Sequence, residues 1–135
     1  MELDEVFDSV QAVIEQSIGK PKEEIQLEST LFKELDVDSI DMVDILYELE
    51  LLYDIELKIS DIELRAKSEL GDIPYEINGE ITKEGLSVIK KVMSEIDANL
   101  LVEGLTIHQL VQLFSVHSLC KMVMHKLETI EIIEE

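Results

Sequence analysis

Residues 35–57 read LDVDSIDMVDILYELELLYDIEL. One hydroxyl, Ser39, opens this leucine-rich segment, and from Glu34 to Leu57 there are nine acids and no lysine or arginine. At 100° per residue, positions 39–53 form an amphipathic helix. Met42, Ile45, Leu46, Leu49, Leu52 and Tyr53 fall on one side, with Val43 at its edge. Asp41, Asp44 and Glu48 fall on the other side, at i, i+3 and i+7. A charge run is ordinarily a solvated face. Solvated faces usually mix signs, because opposite charges at i, i+4 support a helix and like charges oppose it. A ridge of one sign is therefore also a candidate docking surface. Ser39 has two readings as well. Asp38 or Ser39 can serve as the N-cap of the helix. Equally, free N–H groups and the positive end of the dipole favour a phosphate attached at that point. The hydroxyl is a good anchor for a phosphodiester and a poor nucleophile by itself, since no histidine lies near it in sequence.

Outward from this segment, apolar spacing predicts further helices. Leu3, Val6, Phe7, Val10, Val13, Ile14 and Ile18 mark a helix over 2–18, with acids in its first turn and Gly19 and Pro21 at its end. Residues 20–38 read as loop with a short turn around Leu31 and Phe32. A helix over 60–70 opens at Ser60 or Asp61. Asn78-Gly79, flanked by Tyr75, Ile77 and Ile81, signals a small hairpin near 75–81. Two such strands are marginal alone. A helix over 82–97 follows, capped by Thr82, with Leu86, Ile89, Val92, Met93 and Ile96 as its stripe. A short helix near 106–113 precedes a last helix that starts at Ser115 and buries Val116, Leu119, Cys120, Val123 and Leu127. The fold class is all-α, a helical bundle.

The 135 residues fit one domain, and 46% hydrophobic content is enough for a core. A formal charge of −20 argues against nucleic acid and against anionic membrane surfaces. It favours partners with basic faces, whose approach is electrostatically steered. One cysteine, Cys120, excludes an internal disulfide and a cysteine-rich metal site. It lies on the buried stripe of its helix, so it reads as core rather than as a reactive thiol. The acidic start MELDEVFDSV is unlike a signal sequence, and no apolar run is long enough to span a bilayer, so the cytoplasm is the default location. Asp36, Asp38 and Asp41 suggest an EF-hand, but from Asp36 the fifth, sixth and twelfth positions are Ile40, Asp41 and Tyr47 and the pattern fails. His108, His117 and His125 lack metal-ligand spacing. No metal site is expected.

With these residues in view, LDVDSIDMVDILYELELLYDIEL resembles the signature of acyl carrier proteins, in which Asp-Ser-Leu opens the second helix. Here the tripeptide is Asp38-Ser39-Ile40. LESTLFKELDVDS is similar to the family's approach to the serine, and FSVHSLCKMVMHKL resembles its last helix. The resemblance covers residues 1–58 and about 105–128. It implies an acyl-carrier-type four-helix bundle with 4′-phosphopantetheine, taken from coenzyme A, on Ser39 between Asp38 and Ile40. It implies a phosphopantetheinyl transferase as partner, together with synthases and acyltransferases whose basic surfaces dock on Asp38, Ile40, Asp41, Asp44 and Glu48. Such a chain is a monomeric carrier, not an enzyme.

The chain departs from the pattern in one long stretch, a helical insertion at about 58–104 within a single domain of 1–135. The insertion carries Lys83, Lys90 and Lys91. Leu51 stands where the family more often has an acid, and is expected to pack under the insertion. Three functions follow from the resemblance. The first is an acyl carrier for fatty-acid or specialised lipid synthesis. The second is a carrier of aminoacyl, peptidyl or polyketide units. The third is an unmodified helical adaptor with the carrier fold. The strong acidity and Asp38-Ser39-Ile40 favour the first.

Overall fold

Acids at the start and a glycine at the end set the limits of the first helix. In the computed structural model, which describes residues 2–134, α1 spans Leu3–Ile18 with Asp4 and Glu5 in its first turn. Gly19 adopts φ +73, the left-handed conformation that glycine reaches without strain, and its N–H donates to Glu15 O. Val6, Val10 and Ile14 are buried, one residue per turn. α2 spans Ser39–Tyr53 and α6 spans Val116–Glu134. α1 packs on both. These helices belong to a first compact unit, which runs to Lys58 and resumes at Phe114; Ile59–Leu113 form a second.

In the first unit, residues 20–38 are tied down at both flanks. Gln11 Nε2 donates to Lys22 O at 2.9 Å and Ile25 O at 2.8 Å, fixing the loop to α1. Leu31 N–H donates to Phe114 O, Val116 N–H to Ser29 O and His117 N–H to Leu27 O, each at 2.9 Å. Ile25, Leu31, Leu35 and Val37 bury their side chains below this lacing. Each such side chain removed from water is worth about 1.5–3 kcal/mol. Ser115 begins the last helix as the sequence predicts. Its N–H donates to Ser118 Oγ at 3.0 Å, and Ser118 N–H donates back to Ser115 Oγ at 3.2 Å. α6 buries Val116, Leu119, Cys120, Met122 and Val123; Leu127 is half-buried, short of the full burial expected.

The second unit begins with α3, Asp61–Leu70, which packs on α4, Lys83–Val92. Between them β1, Glu76–Ile77, pairs antiparallel with β2, Glu80–Ile81. Asn78 and Gly79 take φ +54 and +85, the two left-handed residues of the turn that Asn-Gly announces. The hairpin is braced as well as paired, for Ile81 N–H donates to Leu105 O at 2.9 Å and Ile107 N–H to Gly79 O at 3.1 Å. Thr82 caps α4, accepting from Gly85 N–H.

α4 ends at Val92, not at 97 as the apolar spacing predicts. Met93 leaves the helical conformation at φ −114 and ψ 55, and Asp97 opens a separate turn. Its carboxylate accepts Asn99 N–H at 3.0 Å, at the start of the 3₁₀ turn over Ala98–Leu100. Met93 and Ile96 are buried from the intervening turn instead. α5, Ile107–Val111, is shorter than expected and opens with a reciprocal Thr106–Gln109 cap. The architecture is all-α apart from this hairpin among the described residues, as the sequence predicts.

Candidate functional site

Ser39 is the first residue of α2, and its cap is supplied by its neighbour. Asp38 Oδ1 accepts Asp41 N–H at 2.7 Å, and Asp41 Oδ2 accepts Asp38 N–H at 3.1 Å. That resolves the choice of cap in favour of Asp38. The Ser39 hydroxyl is therefore spared from capping. It is exposed and has no hydrogen-bond partner among the described residues. The chain enters α2 through Asp36, held at φ +55, and through buried Val37, whose N–H donates to Leu31 O at 2.9 Å. A loop anchored on both sides thus presents the hydroxyl at the helix tip.

The acids lie along α2 as the spacing predicts. Asp38 and Asp44 are exposed, while Asp41 and Glu48 are half-buried. Asp44 Oδ2 accepts Ser17 Oγ–H at 2.6 Å, which ties the ridge to α1. The ion pairs Lys67–Glu63 and Lys91–Glu69 both lie in the second unit and involve none of these four acids.

The apolar side of α2 is narrower than the sequence suggests. Met42, Ile45 and Leu49 are buried, and they span only about 60° of the helix at 100° per residue. Leu52 is 57% exposed and Val43 69%, so neither belongs to the core. Leu51 is 62% exposed rather than packed away. With Ile40 at 78% and Tyr47 at 55%, Val43 and Leu51 make an outward apolar row on one side of the acids, while Leu52 lies on their other side. Sequence reasoning missed Tyr47. The signal available was its spacing of seven from Ile40.

Cys120 is fully buried, and burial pushes its thiol up to about 12, so it stays protonated and inert. His108 is exposed, and His117 and His125 are half-buried. No group of three potential metal ligands occurs among the described residues. No helix among them is long and apolar enough to cross a membrane.

Against known proteins, the family model described as "Phosphopantetheine attachment site" matches residues 8–71. An acyl carrier protein of Lactococcus lactis subsp. cremoris (strain MG1363) is 46% identical over 52 residues, 38% of this chain and 70% of that protein. An acyl carrier protein of Streptococcus pyogenes serotype M3 is 39% identical over 56 residues, 42% of this chain and 74% of that protein. The chain belongs to the acyl carrier protein family. No solved structure matches it significantly. Family members are carriers rather than catalysts, and their prosthetic group is a covalently attached 4′-phosphopantetheine.

The residues at the tip of α2 fit such a group. An unengaged hydroxyl stands at the start of a 15-residue helix, where the first N–H groups lack intrahelical acceptors and the dipole favours a phosphate. The carboxylates of Asp38 and Asp41 oppose that charge but face back into the cap. The likeness noted at 105–128 lies outside the residues that the family model covers.

Proposed function

We propose that this chain carries acyl intermediates for fatty-acid or specialised lipid biosynthesis, on 4′-phosphopantetheine attached to Ser39. The observation that supports Ser39 is its free, exposed hydroxyl beside a cap that Asp38 completes without it. In the attachment step the Ser39 Oγ–P bond forms as the pyrophosphate P–O bond of coenzyme A breaks. The adenosine bisphosphate half leaves, and the serine proton passes to a base of the transferase, which also holds the Mg²⁺. The attached group supplies a thiol that holds cargo as a thioester.

The chain's own residues do the rest. The core of the first unit shelters an apolar chain from water, at about 0.8 kcal/mol per methylene buried. Asp38, Asp41, Asp44 and Glu48 steer basic partners, the phosphopantetheinyl transferase, synthases and acyltransferases. Ile40 adds apolar contact once they meet. Exposed charges set on-rate and specificity more than tightness, which suits a carrier that must leave each enzyme. The stretch at about 58–104, which makes up most of the second unit, is an insertion in this single carrier domain.

Intact mass measured after incubation with a phosphopantetheinyl transferase and coenzyme A tests the assignment. A gain of one phosphopantetheine that disappears in Ser39→Ala is the expected result. No gain in the wild type identifies an unmodified adaptor instead.

A further inference from the structure

α4 carries a ridge whose sign is opposite to that of the chain. At 100° per residue Lys83, Ser87 and Lys90 share one face of this 10-residue helix, all three exposed, and Lys91 stands at its edge. Glu84, the acid within the helix, lies 100° round from Lys83. The sequence holds 31 acids against 11 lysines and arginines, so pairing is the ordinary outcome for a lysine here. Lys91 does pair, at 3.4 Å from Glu69, with its side chain still 74% exposed. Lys83 and Lys90 have no ion-pair partner among the described residues. In the last turn Lys90 and Lys91 complement the helix dipole, which accounts for them. Lys83 is the first residue of the helix, where the dipole opposes a cation and an acid is the usual choice.

The same chain offers a surface that matches this ridge. Asp41, Asp44 and Glu48 line α2, and Asp41 and Glu48 have the spacing of Lys83 and Lys90, about 10 Å along the axis at 1.5 Å per residue. Beside these acids runs the exposed row Ile40, Val43, Tyr47 and Leu51, which gives such a contact the apolar area that charges alone lack. A basic partner drawn to α2 is repelled by α4, so the two ridges call for opposite faces. Two chains of −20 repel each other as wholes. That repulsion is spread over their surfaces and is screened beyond about 8 Å at physiological salt, whereas charges in contact still attract.

We propose that α4 of one copy docks on α2 of a second copy, with Lys83 and Lys90 against Asp41, Asp44 and Glu48. The expectation of a monomer comes from the family pattern, which lacks the stretch that contains α4. The contact itself is independent of the Ser39 reading, and its consequence rests on that reading. Acids covered by a second copy are withheld from the transferase and from acyl-processing enzymes, so docking weakens as the carrier accumulates. Because the two surfaces differ, each copy offers both halves of the contact, and either half can be removed alone.

Sedimentation equilibrium of the full-length apo protein tests the contact without any loading. In about 0.15 M salt the weight-average mass should rise above that of the monomer as the concentration goes from about 10 to about 500 μM. It should fall back at about 0.01 M salt, where repulsion reaches about 30 Å, and at about 1 M, where the contact charges are screened too. Lys83→Glu/Lys90→Glu and Asp44→Lys/Glu48→Lys should each stay monomeric with wild-type circular dichroism. An equimolar mixture of the two should associate, since one brings an intact α2 and the other an intact α4. Backbone amide resonances of the wild type should shift with concentration at Lys83–Lys91 and Asp41–Glu48. A monomer throughout the concentration series, association that strengthens up to about 1 M salt, a mixture no heavier than its components, or shifts confined to other residues overturns the proposal. At the top of the series the transferase should load Lys83→Gln/Lys90→Gln about twofold faster than wild type, and equally fast at the bottom. Equal rates at both ends overturn the consequence for docking. A wild type that is never loaded overturns the Ser39 reading, and the sedimentation result still decides the contact.

Discussion

Asp38 and Asp41 hold each other's backbone: Asp38 Oδ1 accepts Asp41 N–H at 2.7 Å while Asp41 Oδ2 accepts Asp38 N–H at 3.1 Å. Two acids beside Ser39 are thus structural and electrostatic at once. The functions separate by substitution. Asp38→Ala removes the cap and lowers stability by about 1 kcal/mol. Asp38→Asn keeps an acceptor oxygen and removes one charge. It should unfold at nearly the wild-type denaturant concentration, yet accept phosphopantetheine about two- to fivefold more slowly at low salt. Denaturation midpoints and the rate of mass gain measure the two effects. Equal stability losses in Asn and Ala would show that the cap does not support the helix.

Asp36 enters this turn with φ +55, two residues before the cap. Aspartate visits the left-handed region more readily than most residues, but still at some cost. Asp36→Gly relieves that strain and loosens the unfolded chain, so it should change stability by less than about 1 kcal/mol. Asp36→Val places a β-branched side chain in the same conformation and should lose roughly 1–2 kcal/mol relative to glycine. Equilibrium unfolding of the pair checks the difference. Equal stabilities would mean that the backbone at 36 relaxes freely.

These two residues show what can be read from sequence alone. The bounds of α2 were legible, because Asp38 signals a start and the apolar spacing runs to Tyr53. The Asn78-Gly79 hairpin was legible because the turn demands those residues. Leu51, Leu52 and Val43 are more exposed than the sequence suggests, for one reason. A helical wheel gives the direction of a side chain but not whether another element reaches it, and only a narrow strip of α2 is covered. Apolar spacing overextends the helix over 82–97, because Met93 and Ile96 keep helical spacing while being buried from a turn. The buried Tyr53 hydroxyl, which has no hydrogen-bond partner among the described residues, had no sequence signal, since partners depend on the whole fold.

Gly85 also acquires its meaning from packing. A Cβ there would lie 2.6 Å from Tyr75 O and 2.9 Å from Ile81 Cγ2, so the glycine lets α4 rest directly on the hairpin. Alanine would add about 1 kcal/mol of helix propensity. The clash opposes this, because the nearest atom is backbone and cannot rotate away. Gly85→Ala should therefore lose about 1–2 kcal/mol net. The loss should be local: Thr82 N–H, which donates to Tyr75 O at 2.9 Å, should exchange faster with solvent deuterium. A stabilised variant with unchanged exchange at Thr82 would show that the contact is not tight.

Two buried acids make stability sensitive to alkali. Burial raises the Cys120 thiol from 9.0 to about 12. Burial, reinforced by the carboxylates of Glu63 and Glu76, raises the Tyr75 phenol from 10.0 to about 12. Both groups stay neutral in the folded chain over a range in which the unfolded chain ionises. Their stabilising contribution is therefore complete below the unfolded values. It is lost as pH rises toward 12, because the unfolded state then holds fewer protons than the native state. Urea midpoints should fall from about pH 9 upward. In Cys120→Val, which keeps similar volume without the thiol, the decline should begin about one pH unit later, at the onset set by Tyr75. Native protein should also resist a thiol reagent that reacts readily once urea unfolds it. Identical alkaline profiles for wild type and Cys120→Val, together with rapid labelling of the native thiol, would mean that Cys120 is open to water.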